Sequence, residues 1–275
     1  MTYAEVIGDP IAHSKSPLIH GFWLRKLGIE ADYRATRVTG DGLADYFAAR
    51  RVDPDWRGCN ITMPHKMAAL EFTPHETDPS FPILPINIAI PHHSKGLAGH
   101  NSDMFGFFEP LVALTGITAE PGASGPAIVI GTGGAARALW WGLLACGFGP
   151  TWFVTRNVAR AAPTMKEFSA LGARALALGD ALPEAALLVN ASPLGMTGMP
   201  PLDIALDSLR DDAIVFDMVY NPRETPLLIE AKRRGLRTID GLQMLIAQAA
   251  ISFGHFFKAA PPRAFDWELR ELLTS

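Results

Sequence analysis

Short apolar runs alternate with longer amphipathic stretches along the whole chain. Val6-Ile7-Gly8 reads as a strand, and residues 16–27 as a helix closed by Gly28. A strand at 31–38, a helix at 41–50 and a strand at 58–62 follow. Residues 64–72 are predicted as a helix, with proline at the first position, where its missing N–H is no loss. From residue 126 the alternation restarts. Ala127-Ile128-Val129-Ile130 is apolar without a polar face, as expected of a parallel strand covered on both sides. A helix at 135–146, ended by Gly147, leads into strands at 151–155, 173–178, 186–190, 213–217 and 236–239. This order predicts an α/β architecture with largely parallel sheets. Pro121, Gly122, Ser124, Gly125 and Pro126 punctuate the chain like a domain boundary, while the helical pattern at 104–114 is expected to bridge the halves. Residues 242–275 read as helical.

Composition narrows the function classes. The chain has 275 residues, 48% of them hydrophobic, and a formal net charge of -4, which leaves no basic excess for nucleic acid. Lys232, Arg233 and Arg234 form a basic run that reads as the solvated face of a helix. Two cysteines, Cys59 and Cys146, lie in apolar runs and make no disulfide framework. The N-terminus lacks signal-peptide character, and the longest apolar run, 138–149, falls short of the roughly 20 residues that span a bilayer. A cytoplasmic protein with no membrane or nucleic-acid partner is expected.

Gly131-Thr132-Gly133-Gly134-Ala135-Ala136 fits the dinucleotide fingerprint G-x-G-x-x-A. Its context, after a buried strand and at the start of a helix, gives the motif meaning, because the glycines let backbone N–H groups approach a pyrophosphate. A structural tight turn is the plainer reading. NAD-selective sites carry a carboxylate about 20 residues on. Here the next strand ends in Thr155-Arg156-Asn157, with Arg160 a turn later, so two guanidinium groups would meet a 2′-phosphate. NADP(H) is the expected cofactor, with NAD second. Taken alone, Arg156 and Arg160 also fit ordinary surface cations.

The first half carries polar groups that packing does not require. Ser14 and Ser16 lie between a strand and a helix, where one of them also fits a plain N-cap. Asn60 and Thr62 share one face of a strand end, and Lys66 follows on the first turn of the predicted helix. Asp103 precedes another helix and also fits a cap.

Together these segments resemble the shikimate dehydrogenase family. Its S-x-S motif appears as Ser14 and Ser16, its G-x-N-V-T-x-P-x-K motif as residues 58–66, and its N-T-D-x-x-G-F motif as residues 101–107. The G-x-G-G-A-x-R-A loop is 131–138, and the N-R-T segment corresponds to 155–157. The V-N-A-T-P-L-G-M motif is 189–196, and the last two motifs begin at Asp217 and Asp240. The resemblance spans nearly the whole chain in family order.

The resemblance implies a substrate domain, residues 1–106 plus 243–275, and an inserted Rossmann domain, 107–242. By similarity, Ser14 and Ser16 hold the substrate carboxylate, and Asn60, Thr62, Asn87, Tyr220 and Gln248 line the polyol pocket. Lys66 and Asp103 are the implied catalytic pair. Cofactor contacts would come from Gly131, Thr132, Gly133, Gly134, Ala135, Thr155, Arg156, Asn157, Arg160, Ala191, Ser192, Met218 and Gly241. The physical logic agrees: reduction of a ring ketone needs a proton for the developing alkoxide, and a lysine ammonium supplies both charge and proton. The reverse oxidation needs the neutral amine and is expected to speed up toward alkaline pH. The expected partner is a small ring acid, 3-dehydroshikimate or shikimate, in a monomer or homodimer, with no metal.

The sequence departs from the family on the substrate side. G-A-V-N-T is replaced by Leu84-Pro85-Ile86-Asn87-Ile88, 75–80 is unlike the usual helix, and Ser102 stands for threonine. These changes point to weak action on shikimate, or to a related ring such as quinate or an aminoshikimate. A non-catalytic regulatory relative would not need both Lys66 and Asp103. A folate-type dehydrogenase would explain the glycine loop but not the paired serines. His92-His93 and His75-Glu76 lack ligand spacing backed by partners elsewhere.

Overall fold

The computed structural model describes residues 1–73, 85–94, 96–116, 122–168 and 172–274. The chain divides into two compact units, Met1–Ser102 with Gln248–Ser275, and Asp103–Ala247.

The first unit is built on five strands in the order β2-β1-β3-β4-β5. β1 (Tyr3–Gly8), β2 (Asp32–Arg37) and β3 (Trp56–Ile61) are parallel, with Ala4 opposite Tyr33 and Val6 opposite both Ala35 and Asn60. β4 (Ile88–His92) and β5 (Gly96–His100) form an antiparallel hairpin added to β3. The sequence pattern does not announce this hairpin, since Pro91 and the neighbouring histidines break its alternation.

α1 (Ser16–Leu27) ends as predicted, on Gly28 in left-handed backbone. α2 (Leu43–Arg50) follows β2. One cluster packs α2 and the β1–β3 residues Tyr3, Ile7, Trp56, Cys59 and Ile61 with Phe47 and Leu97. Glu5, fully buried in β1, is held by Arg50 Nε at 2.6 Å, the Tyr46 hydroxyl at 2.8 Å and the Thr36 hydroxyl at 2.5 Å. Removing one partner of such a buried pair costs about 3–5 kcal/mol. Elsewhere in the unit His20, Trp23 and Tyr33 pack with Phe253 and Phe256 in an aromatic cluster.

The predicted helix at 64–72 does not form. The Lys66 carbonyl accepts the Ile86 N–H, so it is unavailable to the fourth residue on, and Leu70 and Phe72 bond three residues back instead. Only a short 3-10 turn, Ala68–Glu71, results, and Lys66 precedes it in a turn. The expected helical run after 242 is likewise interrupted. α7 (Gly241–Phe257) and α8 (Asp266–Thr274) are separated by Lys258 in left-handed backbone and by Pro261-Pro262.

The second unit contains six parallel strands: β6 (Gly125–Ile130), β7 (Phe148–Thr155), β8 (Arg174–Ala177), β9 (Ala185–Asn190), β10 (Leu209–Asp217) and β11 (Arg237–Ile239). Their order, β8-β7-β6-β9-β10-β11, is the doubly wound 3-2-1-4-5-6 pattern. Both faces are covered. Ala127 and Val129 join Phe107, Leu139, Trp140, Phe153, Phe168 and Phe216, while Ile128 and Ile130 join Leu188, Val215, Leu228 and Ala231. That is why β6 carries no polar face. α4 (Gly134–Ala145), α5 (Val158–Phe168) and α6 (Pro226–Arg233) flank the sheet, and the exposed Lys232 and Arg233 lie on α6 as the sequence suggested. α3 (Asp103–Thr115) opens this unit and lies wholly within it rather than bridging the halves. The chain passes from the first unit to the second between Ser102 and Asp103, and back inside α7, between Ala247 and Gln248.

Candidate active site

The predicted site residues divide between the two units. Ser14, Ser16, Asn60, Thr62, Lys66, Asn87 and Gln248 belong to the first; Asp103, Tyr220 and all the predicted cofactor contacts belong to the second.

In the first unit, α1 starts at Ser16 after Lys15, and no side chain caps it, so neither serine is the N-cap. The Ser14 hydroxyl accepts the Ser16 N–H at 3.3 Å in a local turn. Asn60, Asn87 and Gln248 come together. The Asn60 Nδ2 donates to the Asn87 carbonyl at 3.3 Å. The Asn87 Nδ2 donates to Ser102 Oγ at 3.0 Å and Gln248 Oε1 at 3.3 Å, and its Oδ1 accepts the Ser102 N–H at 2.7 Å. Asn87 itself is buried, with its backbone N–H on the His100 carbonyl at 3.0 Å.

The hairpin missed in the sequence therefore presents Asn87, and the family departures sit beside it. Ile88 is fully buried on β4 opposite Asn60, and the Pro85 carbonyl accepts from Asn101 Nδ2. Leu84 and the 75–80 stretch, including His75-Glu76, lie outside the described residues. Thr62 follows β3, where its N–H bonds Ile7 O at 2.9 Å. Lys66 is half-buried.

Two residues not anticipated as functional join this cluster. Ser102, fully buried, bonds Asn87 as above. Tyr33 donates its phenol proton to Asn60 Oδ1 at 2.6 Å. Burial drives the Tyr33 phenol well above its ordinary range, the Cys59 thiol adds to the rise and a hydrogen bond from Ser16 opposes it. Only the polar tip of an otherwise apolar strand residue signals Tyr33 in the sequence.

In the second unit, Gly131 follows β6 with φ +104°, and a Cβ there would stand 3.2 Å from the Ala191 carbonyl. The loops after β6 and β9 meet at this point, where the strand order reverses. A Cβ on Gly133 would meet nothing within 4 Å, and no side chain among the described residues caps the first N–H groups of α4. A pyrophosphate fits this cradle.

Below the loops runs a buried polar network. Asp217 accepts from Asn190 Nδ2 at 2.9 Å, the Thr225 hydroxyl at 2.6 Å and the Val219 N–H at 3.0 Å. Burial raises its carboxyl above the usual range against those bonds. Asn190 Oδ1 in turn accepts the Ser192 hydroxyl at 2.7 Å, fixing the Ala191-Ser192 loop. Gly241 packs under the chain after β10, where a Cβ would stand 2.5 Å from the carbonyls of both Met218 and Val219.

At the end of β7, Arg156 and Arg160 are exposed. Asn157 Oδ1 accepts the Arg160 N–H at 2.9 Å and so caps α5, which leaves its side chain partly committed to structure. Tyr220 is part-buried and its phenol is raised by that burial. Asp103 is buried at the start of α3. Among the described residues, no group of three or more His, Cys, Asp or Glu is placed to hold a metal ion, and no helix is long and apolar enough to cross a membrane. His92 and His93 stack on each other at 4.6 Å.

A doubly wound parallel sheet with a glycine turn at its switch point, attached to a second α/β unit rich in amide side chains, defines a Rossmann-type dinucleotide-binding protein of two units. Comparison with known proteins narrows the class. Residues 6–80 match the family model described as the shikimate dehydrogenase substrate binding domain. A shikimate dehydrogenase (NADP(+)) of Sphingopyxis alaskensis is 50% identical over 273 residues, covering 99% of this chain and 97% of that protein. One from Azorhizobium caulinodans is 40% identical, covering 100% and 96%. The crystal structure of shikimate 5-dehydrogenase from Thermus thermophilus in complex with NADP(H) and shikimate superimposes with a TM-score of 0.80 at 32% identity, covering 98% of each chain. The chain belongs to the shikimate dehydrogenase family.

Proposed function

We propose that this chain is an NADP(H)-dependent shikimate dehydrogenase, reducing 3-dehydroshikimate to shikimate and running the reverse oxidation. The observation that carries the reading is the whole-length relationship, 50% identity over 99% of the chain, to an enzyme named for that reaction. The proposed division is 1–106 with 243–275 for the ring acid and 107–242 for the dinucleotide.

In this reading Ser14 and Ser16 hold the ring carboxylate. Their hydroxyls sit at the head of the 12-residue helix α1, where the helix dipole favours an anion. Asn60, Thr62, Asn87, Tyr220 and Gln248 receive the ring hydroxyls and ketone, since amides and hydroxyls both donate and accept. Gly131, Thr132, Gly133, Gly134 and Ala135 would hold the pyrophosphate of NADP. Thr155, Arg156, Asn157 and Arg160 would hold its 2′-phosphate, and Ala191, Ser192, Met218 and Gly241 would border the rest. NADPH, when bound, supplies the hydride for the ketone carbon. Lys66 gives a proton to the ketone oxygen and, in the reverse direction, takes it from the hydroxyl. Asp103 is the second member of the proposed acid–base pair. The proposed compartment is the cytoplasm, which suits two buried free thiols, Cys59 and Cys146. The working form is a monomer or homodimer.

The test is NADPH formation by the purified chain given NADP+ and shikimate, with quinate and NAD+ in parallel. Shikimate with NADP+ is expected to turn over fastest. Turnover on quinate alone would replace the substrate, and reduction of neither cofactor with either acid would overturn the reading.

A further inference from the structure

Tyr33 and Asn60 sit on strands that are not neighbours: β1 lies between them, with Ala4 opposite Tyr33 and Val6 opposite Asn60. The phenol spans that middle strand to reach Asn60 Oδ1 at 2.6 Å, and the residue opposite Tyr33 there is the small, fully buried Ala4. Its plane is set by His20, stacked 2° from parallel with centroids 3.9 Å apart, and His20 is wedged in turn against Trp23 and Phe253.

An asparagine amide turned end for end keeps its shape and exchanges donor for acceptor, so its neighbours must decide its orientation. The Asn87 carbonyl at 3.3 Å is a long partner for Nδ2. The Tyr33 hydroxyl at 2.6 Å is a short, buried one for Oδ1. From there the bonds run in one direction, Tyr33 to Asn60 to the Asn87 carbonyl, while the Asn87 amide continues to Gln248.

We propose that Tyr33 is a positioning residue of the ring-acid site: the Asn87 carbonyl, which can only accept, sets which end of the Asn60 amide donates, and the short bond from the Tyr33 hydroxyl holds that amide in place and so decides which hydroxyl pattern on the ring is accepted. The inference rests on the assignment of Asn60 to the ring-acid pocket under the proposed function. It does not give Tyr33 contact with the reacting atoms.

The test is Tyr33→Phe, which keeps the ring on His20 and removes only the hydroxyl. The expected result is a rise of about tenfold in KM for shikimate, the effect of losing one buried hydrogen-bond partner, with kcat and the KM for NADP+ within about twofold of wild type. Asn60→Ala is expected to raise the shikimate KM less in the Tyr33→Phe background than alone, because the two act as one unit. An unchanged shikimate KM, equal rises for both substrates, or additive effects would overturn the proposal. An activity-free readout separates this failure from failure of the functional assignment. In nitrogen-labelled protein the Asn60 side-chain amide is expected to give one sharp pair of signals, and a shifted or exchange-broadened pair in Tyr33→Phe. If the wild type does not oxidise shikimate, the functional assignment falls alone. If the amide signals do not move, the positioning role falls.

Discussion

His20 gives the sharpest handle on the energetics of the first unit. It is fully buried on α1, stacked on Tyr33 at 3.9 Å, and among the described residues neither ring nitrogen has a hydrogen-bond partner. Burial alone lowers its pKa from 6.5 to about 3. The folded protein therefore keeps this imidazole neutral while the unfolded chain protonates it, and stability falls as pH drops below 6.5. With about 1.4 kcal/mol per pKa unit, this one residue removes roughly 2 kcal/mol of stability between pH 7 and pH 5. His20→Phe keeps an aromatic ring in the stack and removes both the titration and two unpartnered nitrogens. Urea unfolding of both proteins at pH 7 and pH 5 measures the difference, and the other titrating groups cancel between them. The variant is expected to be at least as stable at pH 7 and to lose about 2 kcal/mol less on acidification. Equal losses in the two proteins would show that His20 does not carry the acid sensitivity.

Three further outcomes test other parts of the structure. Lys66→Ala is expected to lower kcat by about 10²–10⁴ with little change in shikimate affinity, measured by steady-state kinetics and titration; intact turnover would reassign the proton carrier. Replacing Arg156 and Arg160 together with alanine should raise the KM for NADP+ by about tenfold or more and leave that for NAD+ unchanged, whereas equal effects would remove the 2′-phosphate role. Gly241→Ala would put a Cβ 2.5 Å from two carbonyls and should destabilise the protein by about 1–3 kcal/mol in calorimetry; a wild-type melting temperature would refute the packing.

How much could be read beforehand varied with how local the cause was. The unbroken apolar run of β6, the glycine turn after it and Gly28 at the end of α1 all depend on near neighbours in the chain, and all three were legible. Residues 64–72 looked equally local, yet a carbonyl that the predicted helix needed is bonded to Ile86, twenty residues away by number. The β4–β5 hairpin, with a proline inside β4, carries no strong pattern of its own and exists because β3 offers it an edge.

The sequence by itself determined the α/β class and the glycine turn after a buried strand, because hydrophobic periodicity and motif spacing are written along one dimension, while the Rossmann half was implied by the family resemblance. Only the tertiary structure decided that Asn87 would face Ser102 and Gln248, and that a tyrosine would reach across a strand to Asn60. Those contacts join residues from 15 to 161 positions apart, and such bonds depend on where strands and helices come to rest, which no local pattern specifies.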